Sequence, residues 1–252
     1  MMTRIAISSL LVCAALHAAG PVDKKAQEIT QAMVSAMGGQ DAWNRARYIR
    51  YDFRVTADGK TVADRAHLWD KHTGRYRMEG TTKEGARQIT LFNTGTQQGS
   101  VYQDGKKLDG AGSAAAIKQA YGSFINDFYW LAMPWKWTDQ GVHLKYLGKR
   151  KSGGQEYDVV QLTFDHVGLT PGDRYEAFVS PTSHLMEHWE YTLQSGNKGA
   201  WNWEYTTTEG IKLASNHTSS EGRTINHGNP RVLTSVDDAY FSDPARVLAT
   251  LK

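Results

Sequence analysis

The sequence predicts a mainly β domain with helices, a long curved antiparallel sheet covered by an N-terminal and a central helix. Three observations predict it. Apolar and polar residues alternate with a period of two over most of the chain. Gly, Asp-Gly and Ser-Pro signals break that alternation at short intervals, as hairpins require. A helical period appears at the start of the domain and again in the middle of the chain.

From Pro21 to Met37 the apolar residues Val22, Ala26, Ile29, Met33 and Met37 share one helical face, and Gly38-Gly39 stops the helix. Asp41 to Ala46 adds a turn. Ile49, Tyr51, Phe53 and Val55 then alternate with polar neighbours up to Asp58-Gly59. His67–Lys71 and Tyr76–Gly80 flank a hairpin signal at His72–Arg75, and Gln88–Phe92 and Ser100–Gln103 continue to Asp104-Gly105. Ser113 caps a helix whose face is Ile117, Tyr121, Phe124, Phe128 and Leu131, widened by Ile125, Tyr129 and Ala132 and ended by Pro134. Strands resume at Val142–Leu147, Glu156–Phe164, Arg174–Val179, His184–Leu193, Trp201–Thr206, Ile211–Thr218 and Val232–Val236. Asp243-Pro244 has the form of a capped start to a short C-terminal helix. A sheet of this many strands curls, and helices then cover its open side.

Residues 1–19 have the build of a secretory signal: Arg4, an apolar run from Ile5 to Leu16, and small residues at Ala18 and Ala19. The expectation is a periplasmic or secreted domain over residues 20–252. Cys13 is the single cysteine, and the bulky Val12 before it disfavours lipoprotein anchoring there, so the mature domain is stabilised without disulfides. Loss of Arg4 takes the formal net charge from +3 to +2, and the evenly spread cations exclude a nucleic-acid protein. No apolar run is long enough to span a bilayer.

Signatures of catalysis and cofactors are weak. His184-Leu-Met-Glu-His188 matches H-x-x-E-H, but that pattern binds zinc only on a helix, and the segment has strand composition. On a strand, positions four apart lie roughly 13 Å from one another. His67, His72, His143, His166, His217 and His227 are scattered singly. The spacing around Gly99–Lys107 excludes a phosphate loop, and no other cofactor motif is present. Asp127 sits beside Phe128 and Trp130, and it is expected to point to water or to Lys136. Asn216-His-Thr218 has the form of a glycosylation acceptor.

The feature that bears on function is Phe124 to Trp137, where six aromatic side chains fall within fourteen residues. One reading is a helix packed on the sheet, with Trp135 and Trp137 as buried corner residues. The other is that Phe124, Phe128, Trp130, Trp135 and Trp137, with Trp189, Trp201 and Trp203 opposite, line a pocket for an apolar ligand.

The order of elements resembles a known superfamily. An opening helix, Met37-Gly-Gly-Gln-Asp-Ala-Trp43, a β-meander, and the block Asn126-Asp-Phe-Tyr-Trp-Leu to Pro134-Trp-Lys-Trp137 carry the resemblance. Gly168-Leu-Thr-Pro-Gly-Asp-Arg-Tyr175 and Phe241-Ser-Asp-Pro244 extend it over most of the mature chain. In these features the chain is similar to an uncharacterised family of exported bacterial proteins within the lipoprotein-carrier (LolA/LolB-like) superfamily. The resemblance implies an unclosed antiparallel β-barrel whose helix-covered concavity accepts acyl chains, but it transfers no lipid-contacting residue by position. The expected function is therefore non-catalytic binding of a lipid or other apolar small molecule. The alternatives are an exported hydrolase built on Asp127 or a histidine, and a scaffold offering the tryptophan strand to an envelope protein partner.

Overall fold

The computed structural model describes residues 23–165 and 167–251. The expected signal segment 1–19, Cys13 and His166 lie outside the described residues.

Helix α1 (Lys24–Ala36) starts where the side chain of Asp23 accepts the amide of Ala26 at 3.0 Å, and it buries Ala26, Ile29 and Met33. Gly38 and Gly39, both at positive φ, turn the chain into α2 (Gln40–Arg45). The first meander follows: β1 (Tyr48–Ala57), β2 (Lys60–Asp70), β3 (Arg75–Thr81), β4 (Arg87–Asn93), β5 (Gly99–Gln103) and β6 (Lys106–Lys107). After the central helix α3 (Gly110–Ala132) a 3-10 turn at Met133–Lys136 contains Pro134, so the helix stops where the proline predicts. The second meander is β7 (Val142–Ser152), β8 (Gln155–Phe164), β9 (Arg174–Val179), β10 (Met186–Thr192), β11 (Lys198–Thr208) and β12 (Ile211–Ser219), completed by β13 (Thr224–Asn226) and β14 (Arg231–Leu233).

The fourteen strands among the described residues form one antiparallel sheet. Its order is β6-β5-β4-β3-β2-β1-β13-β12-β11-β10-β9-β8-β7, with β14 also on β1. The ends, β6 and β7, do not pair, so the sheet is an unclosed antiparallel barrel, as the sequence leads one to expect. The chain leaves the sheet at one free edge, crosses as α3, and re-enters at the other. The central helix is thus tethered at both sides of the opening, and its buried face packs into the same apolar core as the inward residues of β1, β10, β11 and β12.

Three expectations are corrected. Helix α3 begins at Gly110 rather than at Ser113. Strand β10 begins at Met186 rather than at His184, because His184 takes φ 57° in a turn closed by its amide on the Ser180 carbonyl at 2.9 Å. No helix opens at Asp243-Pro244; the segment makes 3-10 turns at Asp238–Phe241 and Leu248–Thr250 instead. The fully buried Arg77 guanidinium explains this, since it donates to the carbonyls of Tyr240 (3.0 Å), Asp243 (2.9 Å) and Arg246. Carbonyls spread around a side chain in this way are not free to form a helical ladder.

Candidate functional site

The site is built where α3 meets the concave face. Cross-strand register sets one wall: Trp189 on β10 faces Trp201 on β11, and Trp203 on β11 faces His217 on β12. Directly paired residues share a face, as do residues two apart, so these four side chains lie on one side of the sheet. Trp130 of α3 comes down on them, with ring centroids 5.0 Å from Trp189, 5.1 Å from Trp201, 6.1 Å from Trp203 and 5.2 Å from His217. The sheet rings are buried, while Trp130 is half-buried at the boundary with solvent.

Phe124 and Phe128, six and two residues earlier on the helix, reach the other half of the sheet. There they meet Trp69 at 5.1 and 4.8 Å, and Phe124 meets Tyr76 at 4.8 Å. Trp135 stacks on Trp43 of α2 at 4.9 Å and donates its indole N–H to the Lys212 carbonyl at 3.0 Å. Trp137 packs apart, its N–H on Met133 Sδ at 2.9 Å. Four of the eight sequence-predicted residues, Trp130, Trp189, Trp201 and Trp203, thus meet across α3 and the sheet, whereas Phe124 and Phe128 pack on the other half and Trp135 and Trp137 fix the corner after the helix. The rings themselves occupy this space. Two surface depressions, of about 400 and 280 Å³, lie elsewhere: one around Arg174, Glu176, Glu190 and Lys198, the other around Arg75, Tyr102 and Phe241.

Between the two aromatic groups runs a buried polar chain that reading the sequence missed. Asp127 does not point to water or to Lys136, which pairs with Asp139. It is fully buried and accepts from Arg65 Nε (2.7 Å) and Nη2 (2.9 Å). His67 Nε2 stands 3.2 Å from the same carboxylate, off the line of a hydrogen bond, so that contact is electrostatic. A proton on Nε2 is favoured there, which leaves Nδ1 to accept from the Tyr76 hydroxyl at 2.7 Å. The Tyr76 oxygen in turn lies 2.9 Å from the hydroxyl of Tyr51, which can donate to it. Burial alone would raise the Asp127 carboxyl, but His67 and Arg65 outweigh it and hold the group below the ordinary carboxylate range. Burial lowers His67 and raises Tyr51 and Tyr76 well above the usual phenol.

A second buried pair lies behind Trp130. His227 sits where β13 gives way to β14 along β1, and its Nδ1 bonds the Asp52 carbonyl at 3.0 Å. Its Nε2 is 3.1 Å from Nε2 of His217. Burial brings His227 down to about 4 and His217 well below its ordinary value, so both rings are neutral near pH 7.

His188 belongs to strand β10 and bonds Asn202 Oδ1 at 2.9 Å, so H-x-x-E-H is not on a helix. Among the described residues no group of three or more His, Cys, Asp or Glu is placed to hold a metal, and no helix is long and apolar enough to cross a membrane.

No family model and no curated protein matches the sequence. Among solved structures the chain is similar to a DUF1329 family protein from Desulfovibrio piger, at 12% identity over 86% of this chain and 97% of that one, with a TM-score of 0.49. It is similar to a LolA superfamily protein from Nitrosomonas europaea, at 12% identity over 85% and 96% of the two chains, TM-score 0.48. A third similarity is to the lipoprotein LppX of Mycobacterium tuberculosis, at 10% identity over 84% and 99%, TM-score 0.33.

Proposed function

We propose that the protein is a periplasmic, non-catalytic binding or carrying protein for a lipid or other apolar ligand, delivered to the envelope by residues 1–19. The ligand lies between α3 and the concave face, against Phe124, Phe128, Trp130, Trp189, Trp201 and Trp203, with Trp135 and Trp137 anchoring the corner about which the helix moves. One observation carries the reading. A single helix tethered at both free edges of an unclosed barrel brings the aromatic rings of one wall down onto those of the other, and Trp130 reaches solvent. An acyl chain can take the place of such rings without baring backbone polar groups, because the sheet beneath is paired.

The latch between cover and sheet fits this reading. A buried ion pair such as Asp127–Arg65 contributes little net stability compared with apolar packing, and its best-attested use is to fix register or to switch. The hydrolase alternative has less support. Asp127, His67 and Tyr76 converge, but they are buried at 0%, 0% and 1% exposure, and the Tyr76 hydroxyl stays protonated. A scaffold presenting its tryptophan strand needs that strand exposed, whereas Trp201 and Trp203 are 5% and 4% exposed.

Native mass spectrometry of protein purified from its own envelope, with titration of an apolar fluorescent probe, tests the proposal. A retained lipid mass, or probe uptake that quenches tryptophan emission, is expected. Absence of both overturns it. Cell fractionation tests the location, and cytoplasmic recovery of the uncleaved chain overturns the periplasmic assignment.

A further inference from the structure

Three ring nitrogens around Trp130 are buried and have no hydrogen-bond partner among the described residues: Trp189 Nε1, Trp203 Nε1 and His217 Nδ1. Buried polar atoms are paired in the great majority of cases, so three orphans in one cluster call for a cause. They are neighbours, with ring centroids 5.5 Å apart for Trp189 and Trp203 and 4.3 Å for Trp203 and His217. The half-buried ring of Trp130 covers them. Trp69 Nε1 is also unpaired, but it belongs to the Phe124 and Phe128 side and is not part of this group.

The hydrogen-bonding sense of each orphan follows from its partners. An indole nitrogen is a donor only. The Asp52 carbonyl can only accept, so Nδ1 of His227 carries a proton. Neutral His227 then has a bare Nε2, which takes the Nε2–H of His217. Neutral His217 is left with a bare Nδ1, an acceptor. The cluster therefore presents two donors and one acceptor within an otherwise aromatic wall.

We propose that this cluster is the head-group subsite for an acyl chain ending in a carboxyl group, a free fatty acid. The carboxyl carbonyl oxygen accepts from the indoles of Trp189 and Trp203, and its O–H donates to Nδ1 of His217 when Trp130 swings aside. No carbon–oxygen bond is made or broken: the carboxylate takes its proton from water on entering the buried site, and if that proton passes to Nδ1 of His217 the acid O–H is exchanged for an N–H and the contact becomes an ion pair at the same atoms. The apolar tail then runs toward Phe124 and Phe128. This inference rests on the reading of the α3–sheet interface as an apolar ligand site, and it adds the chemistry of one end of the ligand.

Three ligands of equal chain length separate the two claims: a long-chain fatty acid, its methyl ester and the corresponding alkylamine, each titrated against the unaltered protein by calorimetry. The ester keeps the acceptors and loses the donor, and the ammonium has donors only. The acid is expected to bind about tenfold more tightly than the ester and about a hundredfold more tightly than the amine, tenfold being worth about 1.4 kcal/mol. Trp203→Phe and Trp189→Phe keep most of the aromatic surface, remove one N–H each, and are expected to weaken acid binding severalfold and so narrow the preference for acid over amine. Equal binding of all three ligands overturns the carboxyl subsite and leaves the apolar site standing. Failure of all three to bind overturns both. Because the ligand series uses the unaltered chain, a variant that fails to fold does not spoil the test.

Discussion

With the Asp127 carboxylate removed, the guanidinium of Arg65, its side chain only 25% exposed, would face the underside of α3 with no counter-charge. Leaving one member of a buried pair typically costs about 3–5 kcal/mol, more than the pair itself contributes. Asp127→Ala is therefore expected to lose about 3 kcal/mol in urea denaturation. Replacing both members, Asp127→Leu with Arg65→Leu, is expected to recover most of that loss. If the double variant is as unstable as the single one, the cost lies in packing rather than in the orphaned charge. This residue was legible in part. Phe124, Phe128 and Leu131 define the buried face of the helix, and Asp127 lies three residues after the first and four before the last, a spacing that puts it inward against the expectation that it points to water or to Lys136. Its partners were not legible, because Arg65 and His67 lie about sixty residues away and only the sheet brings them beneath the helix.

At the scale of elements, the joint between the first two helices and the β11–β12 hairpin sets the floor under Trp135. The Lys212 amide donates to the Met37 carbonyl at 2.8 Å while its carbonyl accepts from Trp135. Gly38, at φ 116°, packs so closely that a Cβ would stand 2.1 Å from the Gly210 carbonyl oxygen. Gly39 has φ 89° and open space where its Cβ would go. Gly39→Ala is expected to cost roughly 1–3 kcal/mol from backbone strain alone. Gly38→Ala adds a clash between two backbones and should exceed about 4 kcal/mol by thermal or urea unfolding. Similar losses for the two would refute the close approach. Strands with five or more alternating residues were visible from sequence, since period-two patterning survives wherever one face is buried. Strands β6 and β13 were not, because two or three residues are too few to show a period. The C-terminal segment misled for another reason. Its cap signal at Asp243-Pro244 is genuine local chemistry, and the buried Arg77 overrides it.

For the whole molecule the buried histidines impose a pH dependence. An unfolded imidazole titrates near 6.5, and burial lowers His227 to about 4 in the folded state. Between these values the unfolded chain binds the proton and the folded protein does not. Stability is full above pH 6.5 and falls as the pH is lowered toward 4. His227 alone can account for at most about 3 kcal/mol of that loss. His217 and His67 act in the same direction, and Asp127 extends the loss into the ordinary carboxylate range and below. Urea midpoints are expected to drop between pH 7 and pH 5, and His227→Gln should flatten the drop. A midpoint that stays level over this interval would show that the histidines are not buried in the neutral form.

The pairing of β1 with β13 has a kinetic consequence. Each meander is made of local hairpins, but among the described strands only β1 against β13 and β14 joins them, and Arg54 meets Asn226 across most of the length of the chain. Contacts of such sequence separation form late and slowly. On a chain made from its N-terminus, one long edge of β1 waits unpaired while nearly all the remaining strands are synthesised. The interval before β13 arrives is when the chain is most open to association with its own copies.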